Sequence, residues 1–331
     1  METIRGTVNW GIIGCGDVCE VKSGPAFSKI EGSKLVAVMR RDATKAKDYA
    51  ARHGVARYYD QAHQLIDDEE VNAIYIATPP AFHEAYALMA MQAGKPVYIE
   101  KPVSTNSAAC QRLIEARQQS QTRVTVAHYR RGLSLFKKAK ALLLEGVIGP
   151  IRLIRMTTLQ SAAGSNTAQV EDNWRINPTL SGGGLFHDLA PHQLDILYWI
   201  FGAPREVRGR ALNQSGLYQA PDMTTVEAVF AHSVCLSGVW AFNVGASAAE
   251  EQCEIIGARG TLRFSFFKKS DLIIDTDSGT QRLAFTYPEN IQHPMIAEVV
   301  KFFKGEGPNP CSLEEALVSM NMMDSTGVFN G

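Results

Sequence analysis

Short apolar runs with β-branched residues on consecutive positions recur through the first part of the chain. They are Val8 to Ile13, Leu35 to Met39, Ala73 to Ala77, Val97 to Ile99 and Val124 to Ala127. Runs that do not alternate with polar residues predict strands buried on both faces of a parallel sheet. Between them lie Thr44 to His53, Glu84 to Ala93 and Ser107 to Gln119, rich in helix-forming Ala, Gln, Lys and Glu, with Gly94 where a C-terminal cap belongs. Strand–helix alternation of this kind predicts right-handed βαβ units and an α/β, doubly wound parallel sheet.

The pattern then changes. A helix is predicted over Leu133 to Glu145, ended by Gly146 and by Gly149-Pro150. Strand-like segments follow at Ile151 to Leu159, Glu206 to Leu212, Thr225 to Phe230, Val234 to Asn243, Gln252 to Ile256, Thr261 to Phe267 and Leu272 to Asp275. Turn signals at Ala258-Arg259-Gly260 and Asp277-Ser278-Gly279 favour an antiparallel meander. One strong helix, Gly184 to Phe201, interrupts the strands. A chain of 331 residues exceeds one ordinary core. We therefore expect two domains, 1–128 and 129–331, the second an α+β domain with an open, mostly antiparallel sheet.

Composition changes this picture little. Hydrophobic residues make up 45% and charged residues 20%, and the formal net charge is −1. A nucleic-acid or membrane-surface partner would usually bring a basic excess, so neither is expected. No run nears the ~18 apolar residues that cross a bilayer, and METIRGTVNWGIIG lacks the pattern of a signal peptide. The six scattered cysteines form no CxxC and read as reduced thiols, so a cytoplasmic location is expected.

Candidate chemistry begins at the end of the first predicted strand, in Gly11-Ile-Ile-Gly14-Cys-Gly16-Asp17-Val18-Cys19. Read as GxGxxG, Gly14 makes the tight turn and Gly16 lets the backbone approach a pyrophosphate. Asp17 and Val18 open a helix whose amides would hold the negative charge, and Cys19 is a small residue in the third glycine's place. After the second strand come Arg40 and Arg41, where an NAD-binding chain usually has an acidic residue. Two guanidinium groups suit a 2′-phosphate, so NADP is favoured; NAD stays possible because Asp42 could face a ribose. The third strand ends in Thr78-Pro79-Pro80 followed by His83, a stiff loop at the sheet's carboxyl edge whose four named residues are expected to line the nicotinamide end of the cofactor, unless it is an ordinary strand-to-helix turn.

Lys101 follows the fourth strand, in Glu100-Lys101-Pro102. Hydride transfer at a carbon bearing oxygen requires a proton to move on that oxygen, and a partly desolvated lysine can assist. Further on stands Ser181-Gly-Gly-Gly184-Leu-Phe-His187-Asp188-Leu-Ala-Pro191-His192, with Asp195 one turn later. Asp188 and His192 are (i, i+4) neighbours on a helix, and a carboxylate beside an imidazole suits a proton donor or acceptor near neutral pH. The same stripe could instead buttress the domain interface. It could also bind a metal through Asp188, His192 and Asp195, but a strand and glycine turn need none, and none is expected. Pro191 suits a helix's first turn, which would start that helix later than Gly184.

Taken in order, GIIGCGDV, ATPPxxH, EKP and GGGxxxDxxxH resemble the glucose–fructose oxidoreductase / inositol dehydrogenase / rhizopine-catabolism (Gfo/Idh/MocA) family, over essentially the whole chain. The resemblance implies a Rossmann domain followed by an open sheet through which such proteins form homo-oligomers, dimers or tetramers. It places the family's lysine on Lys101, its aspartate on Asp188 and its acid/base histidine on His192, and it makes Trp174-Arg175 cofactor contacts. It implies oxidation of a hydroxyl on a sugar, inositol or related polyol, or the reverse reduction, with a small molecule as substrate. Loops Ser161 to Asp172 and Asn213 to Met223 are expected to shape the substrate pocket. Cys19 for the third glycine, His187 for an apolar residue and Pro191 for a glycine depart from the family pattern. Two other functions fit the same motifs: an enzyme that keeps its cofactor bound and oxidises transiently to drive elimination or glycoside cleavage, and a non-catalytic dinucleotide sensor.

Overall fold

The computed structural model describes residues 2–162 and 173–327. Two compact units form. One comprises the chain up to Leu133 together with Pro288–Leu317; the other comprises Ser134–Tyr287 and the segment from Val318. The simple division at 128/129 therefore needs correction, because 288–317 clusters with the first unit. That segment's helix His293–Lys304 buries Phe303 with its ring 5.4 Å from Trp10 of the first strand.

The first unit is built on a six-stranded parallel sheet of β1 (Val8–Ile13), β2 (Ser33–Met39), β3 (Arg57–Tyr59), β4 (Ala73–Ile76), β5 (Val97–Ile99) and β6 (Val124–Val126), in the order β3-β2-β1-β4-β5-β6. β1, β4, β5 and β6 have almost no exposed positions, as their unbroken apolar runs require. The chain steps outward from β1 to β3, then reverses to β4 on the other side of β1. That reversal opens a crevice at the carboxyl ends of β1 and β4, where α/β sheets of this order bind ligands. Helices Ala43–His53, His83–Gln92 and Ser107–Ser120 match expectation; Asp42 and Asn106 cap two of them through their side chains. The short β3 was not evident in the sequence.

The second unit is an eight-stranded sheet of β7 (Ile151–Ser161), β8 (Glu206–Leu212), β9 (Met223–Val229), β10 (Cys235–Val244), β11 (Glu250–Gly257), β12 (Gly260–Phe264), β13 (Asp271–Thr276) and β14 (Gly279–Ala284). Its order is β14-β13-β12-β11-β7-β10-β9-β8, antiparallel throughout except for the β7–β10 pair. Both expected turns close hairpins, β11–β12 at Gly257↔Gly260 and β13–β14 at Thr276↔Gly279. The helix Leu185–Phe201 packs on the sheet, with Phe186 edge-on to Trp240 at 5.1 Å. Burying each such aromatic contributes about 1.5–3 kcal/mol.

Candidate functional site

At the carboxyl end of β1 the backbone turns at Gly14, whose φ of +93° is the left-handed range that only glycine adopts without strain. A Cβ there would also lie 2.7 Å from Thr78 Cγ2 and 2.9 Å from the Thr78 amide nitrogen. Gly14 thus brings the β1 and β4 loops together as no other residue could. A Cβ on Gly16 would meet nothing within 4 Å, so that backbone borders open space. Asp17 and Val18 open the short helix Asp17–Val21, which a second short helix, Gly24–Lys29, follows. Cys19 is fully buried, and burial pushes its thiol well above the usual range.

The Thr78 hydroxyl is buried without a hydrogen-bond partner among the described residues. Such a group costs roughly 1–3 kcal/mol unless something bonds it. A glycine loop facing open space and an unmet hydroxyl beside it are what a bound dinucleotide would use, so the residues fit the cofactor.

At the end of β2, Arg40 Nη1 donates to the Cys15 carbonyl across 3.4 Å, and the Arg41 guanidinium sits 4.8 Å over the Phe82 ring. Asp42 accepts from the amides of Thr44 and Lys45 at 3.0 and 3.1 Å, and these bonds hold its carboxyl below the usual range. Its carboxylate therefore serves the helix.

After β4, Pro80 is buried and opens the turn Pro80–Phe82, whose Phe82 amide donates to the Pro79 carbonyl. His83 is fully buried, with Nε2 2.7 Å from the Thr78 carbonyl oxygen and Nδ1 2.9 Å from that of Pro102. Burial lowers its pKa to about 4, so the ring is neutral near pH 7.

After β5, Glu100 turns inward. Its Oε1 accepts from the Tyr75 hydroxyl and Gln292 Nε2, each at 2.6 Å, while Oε2 accepts from the Lys101 amide at 3.1 Å. The EKP glutamate thus holds the main chain of Lys101, whose own side chain is half-buried. Gln292 had no signal in the sequence, because its partner lies 192 positions away.

In the second unit, the helix that carries Asp188 and His192 begins at Leu185 and runs through Pro191. The helix expected over Gly184 to Phe201 is thus present, and the alternative of a later start at Pro191 is not met. Proline removes one i→i−4 bond, yet burial of nearly the whole stretch Leu185–Leu197 keeps the helix continuous, and in that stretch Asp188 alone is not fully buried. Asp188 Oδ2 accepts from Arg175 Nε at 3.1 Å, and the Arg175 guanidinium lies 4.6 Å over the Trp174 ring. Asn173 accepts from the Arg175 amide and fixes that turn. His192, 5% exposed, faces the Phe267 ring edge-on at 5.9 Å. The buried Glu251 carboxylate binds the amides of Phe266 and Phe267 and the Ser265 hydroxyl, and so sets the loop bearing that ring.

Two further contacts seat this helix. Gln193 bridges the sheet, donating to Thr158 Oγ1 at 2.9 Å and accepting from the Trp240 indole at 2.6 Å. His187 is fully buried over Gly183, where a Cβ would fall 2.1 Å from its Nδ1; burial lowers the His187 pKa to about 4. The glycine run therefore makes room for a histidine.

Of the two expected substrate loops, residues 163–172 lie outside the described residues. The other is organised by buried Asp222, which accepts from the Gln214 and Ser215 amides at 2.8 and 2.9 Å. All six cysteines are free thiols, five buried and Cys235 exposed. Among the described residues no helix is long and apolar enough to cross a membrane.

The sheet order and glycine turn define a dinucleotide-binding fold. Residues 8–128 match the family model described as oxidoreductase family, NAD-binding Rossmann fold, and residues 136–263 match the GFO/IDH/MocA C-terminal domain. The chain is 43% identical over 317 residues to "Oxidoreductase P35" of Formosa agariphila, covering 96% of this chain and 97% of that one. It is 32% identical over 267 residues to an inositol 2-dehydrogenase of Acidothermus cellulolyticus, covering 79% and 74%. An Agrobacterium radiobacter oxidoreductase, solved with NAD+, L-tartaric acid and magnesium, superposes with a TM-score of 0.80 at 20% identity over 97% and 96% of the two chains. The chain belongs to the Gfo/Idh/MocA family and is an NAD-binding oxidoreductase of that family.

Proposed function

We propose that this protein oxidises a secondary or anomeric hydroxyl of a sugar, inositol or related polyol with a nicotinamide cofactor, or catalyses the reverse reduction. The observation that carries this reading is Asp188, held by Arg175 as the one residue of a buried helical stretch that is not fully buried, with His192 one turn along. A partly exposed carboxylate suits binding of neighbouring hydroxyls, and the imidazole one turn along suits proton transfer. When bound, the nicotinamide supplies the hydride acceptor or donor at its C4. Asp188 holds a hydroxyl of the substrate and His192 takes the proton from the reacting oxygen, while Lys101 takes the role that the family resemblance gives its lysine. The inositol 2-dehydrogenase relative supports a polyol.

NADP is the favoured cofactor. Arg40 and Arg41 both follow β2, and Asp42 is committed to capping a helix, so the loop offers a 2′-phosphate two guanidinium groups. Half-exposed Leu153, Leu159 and Val239 on the central strands of the second sheet support its use in forming a homo-oligomer. The test is product analysis. A polyol incubated with the protein and cofactor should yield a carbonyl product in equal amount to the reduced cofactor. A product formed by elimination, without net cofactor reduction, would overturn the reading.

A further inference from the structure

Lys101 carries a catalytic role in the function proposed above, so the placing of its backbone bears on that role. Its main chain is pinned by two buried groups. On one side Glu100 Oε2 accepts from the Lys101 amide at 3.1 Å, and Glu100 is itself fixed by Tyr75 and Gln292. On the other side, the carbonyl of the next residue, Pro102, lies 2.9 Å from His83 Nδ1. The second nitrogen of the same ring lies 2.7 Å from the Thr78 carbonyl. One imidazole therefore spans the loops that follow β4 and β5. It is fully buried, so it has no open face to offer a ligand.

We infer that His83 is a positioning residue that holds Lys101 and Thr78 at a fixed separation, and that it does not itself touch the dinucleotide. The residue opens the helix His83–Gln92, so its backbone is anchored while its ring reaches both loops. A neutral imidazole donates to one carbonyl at a time, and its rigid ring keeps the other at contact distance. Phenylalanine would keep the volume and remove the donor. Glutamine would keep an N–H donor without the rigid ring.

The test uses the full chain with His83→Phe, His83→Gln, Lys101→Met and the double variant His83→Phe/Lys101→Met. A displaced lysine costs rate far more than affinity, since misplacing a catalytic group by ~1 Å can lower turnover about 100-fold. His83→Phe should therefore lower kcat by roughly that factor, with dinucleotide Kd by fluorescence titration weakened no more than by Thr78→Val, and His83→Gln should recover part of it. Because His83 acts through Lys101, the double variant should be no slower than Lys101→Met alone. Multiplying losses in the double variant, or a large loss of dinucleotide affinity at unchanged kcat, would overturn the inference.

A second readout is independent of turnover. Amine acylation at Lys101, followed by peptide mass spectrometry, should change severalfold in His83→Phe while exposed Lys34 and Lys47 react as before. If no polyol is turned over by the native protein, the proposed function fails but this readout still decides the role of His83. Unchanged reactivity at Lys101 would end the inference.

Discussion

Arg175 Nε stands 3.1 Å from Asp188 Oδ2, with the guanidinium laid over its neighbour Trp174. The family resemblance makes Trp174-Arg175 cofactor contacts; in the structure Arg175 is bonded to the candidate substrate-binding carboxylate. A hydrogen bond between charged groups that is partly sheltered contributes about 1.5–3 kcal/mol. Arg175→Ala should therefore lower kcat/KM for the polyol by about 10–100-fold, and lysine, which lacks the fixed fork, should restore only part. Steady-state kinetics with kcat/KM within twofold of native would remove Arg175 from this role.

The Thr78 hydroxyl gives a prediction of opposite signs. It has no hydrogen-bond partner among the described residues, so Thr78→Val should leave the melting temperature of the cofactor-free protein unchanged or raise it. The same substitution should weaken dinucleotide binding, because in the function proposed here the cofactor bonds that hydroxyl. Calorimetric melting together with fluorescence titration checks both signs. A fall in melting temperature with affinity unchanged would contradict the assignment.

Much of the first unit was legible because consecutive apolar positions admit little besides a buried parallel strand, and β1, β2, β4, β5 and β6 were found almost to the residue. β3 and β14 were missed: each is an edge strand whose residues are largely open to solvent, so no hydrophobic pattern marks it. The return of 288–317 to the first unit is a long-range packing event that composition does not record. At the site, Asp188, His192 and Lys101 were named from local motifs. The groups that hold them, Gln292, Gln193 and Glu251, were not, because each acts on a residue far along the chain. Pro191 misled for a simpler reason: local propensity disfavours it inside a helix, and burial overrides that preference.

Gln193 joins the helix bearing Asp188 and His192 to β7 and β10. Gln193→Leu would leave the buried Trp240 indole N–H without its acceptor, at a cost of about 1–3 kcal/mol. Urea unfolding should show a loss of that size. A variant as stable as the native protein would mean that water or another group meets the indole.

The pH dependence of stability has a defined direction. Burial holds the His187 pKa at about 4 in the folded protein, against the ordinary histidine value of 6.5. Between those values the unfolded chain binds the proton and the folded chain does not, so stability rises with pH across that window and is lost as pH falls through it. Buried His83, also held at about 4, adds to the same slope, so His187→Gln should remove about half of the histidine contribution. Urea midpoints measured at intervals from pH 7 to pH 4.5 check it, the lower limit keeping clear of Glu20, whose carboxyl Arg52 holds at about 2. An unchanged slope would show that His187 does not govern this window.

Arg40 and Arg41 set the cofactor choice in the function proposed here. Replacing both by serine should lower the NADP-to-NAD ratio of kcat/KM by at least about 10-fold, the loss of one charge-assisted bond to the 2′-phosphate. A ratio that does not move would assign the preference elsewhere.

The most direct measurement is absorbance at 340 nm with the purified protein, NADP or NAD, and a panel of sugars and inositols, with Lys101→Met as the blank. The expected result is cofactor reduction by the native protein with at least one polyol, faster with NADP, and its loss in the variant. Tight dinucleotide binding with no reduction across the panel would contradict a dehydrogenase, and would point to an enzyme that retains its cofactor or to a sensor.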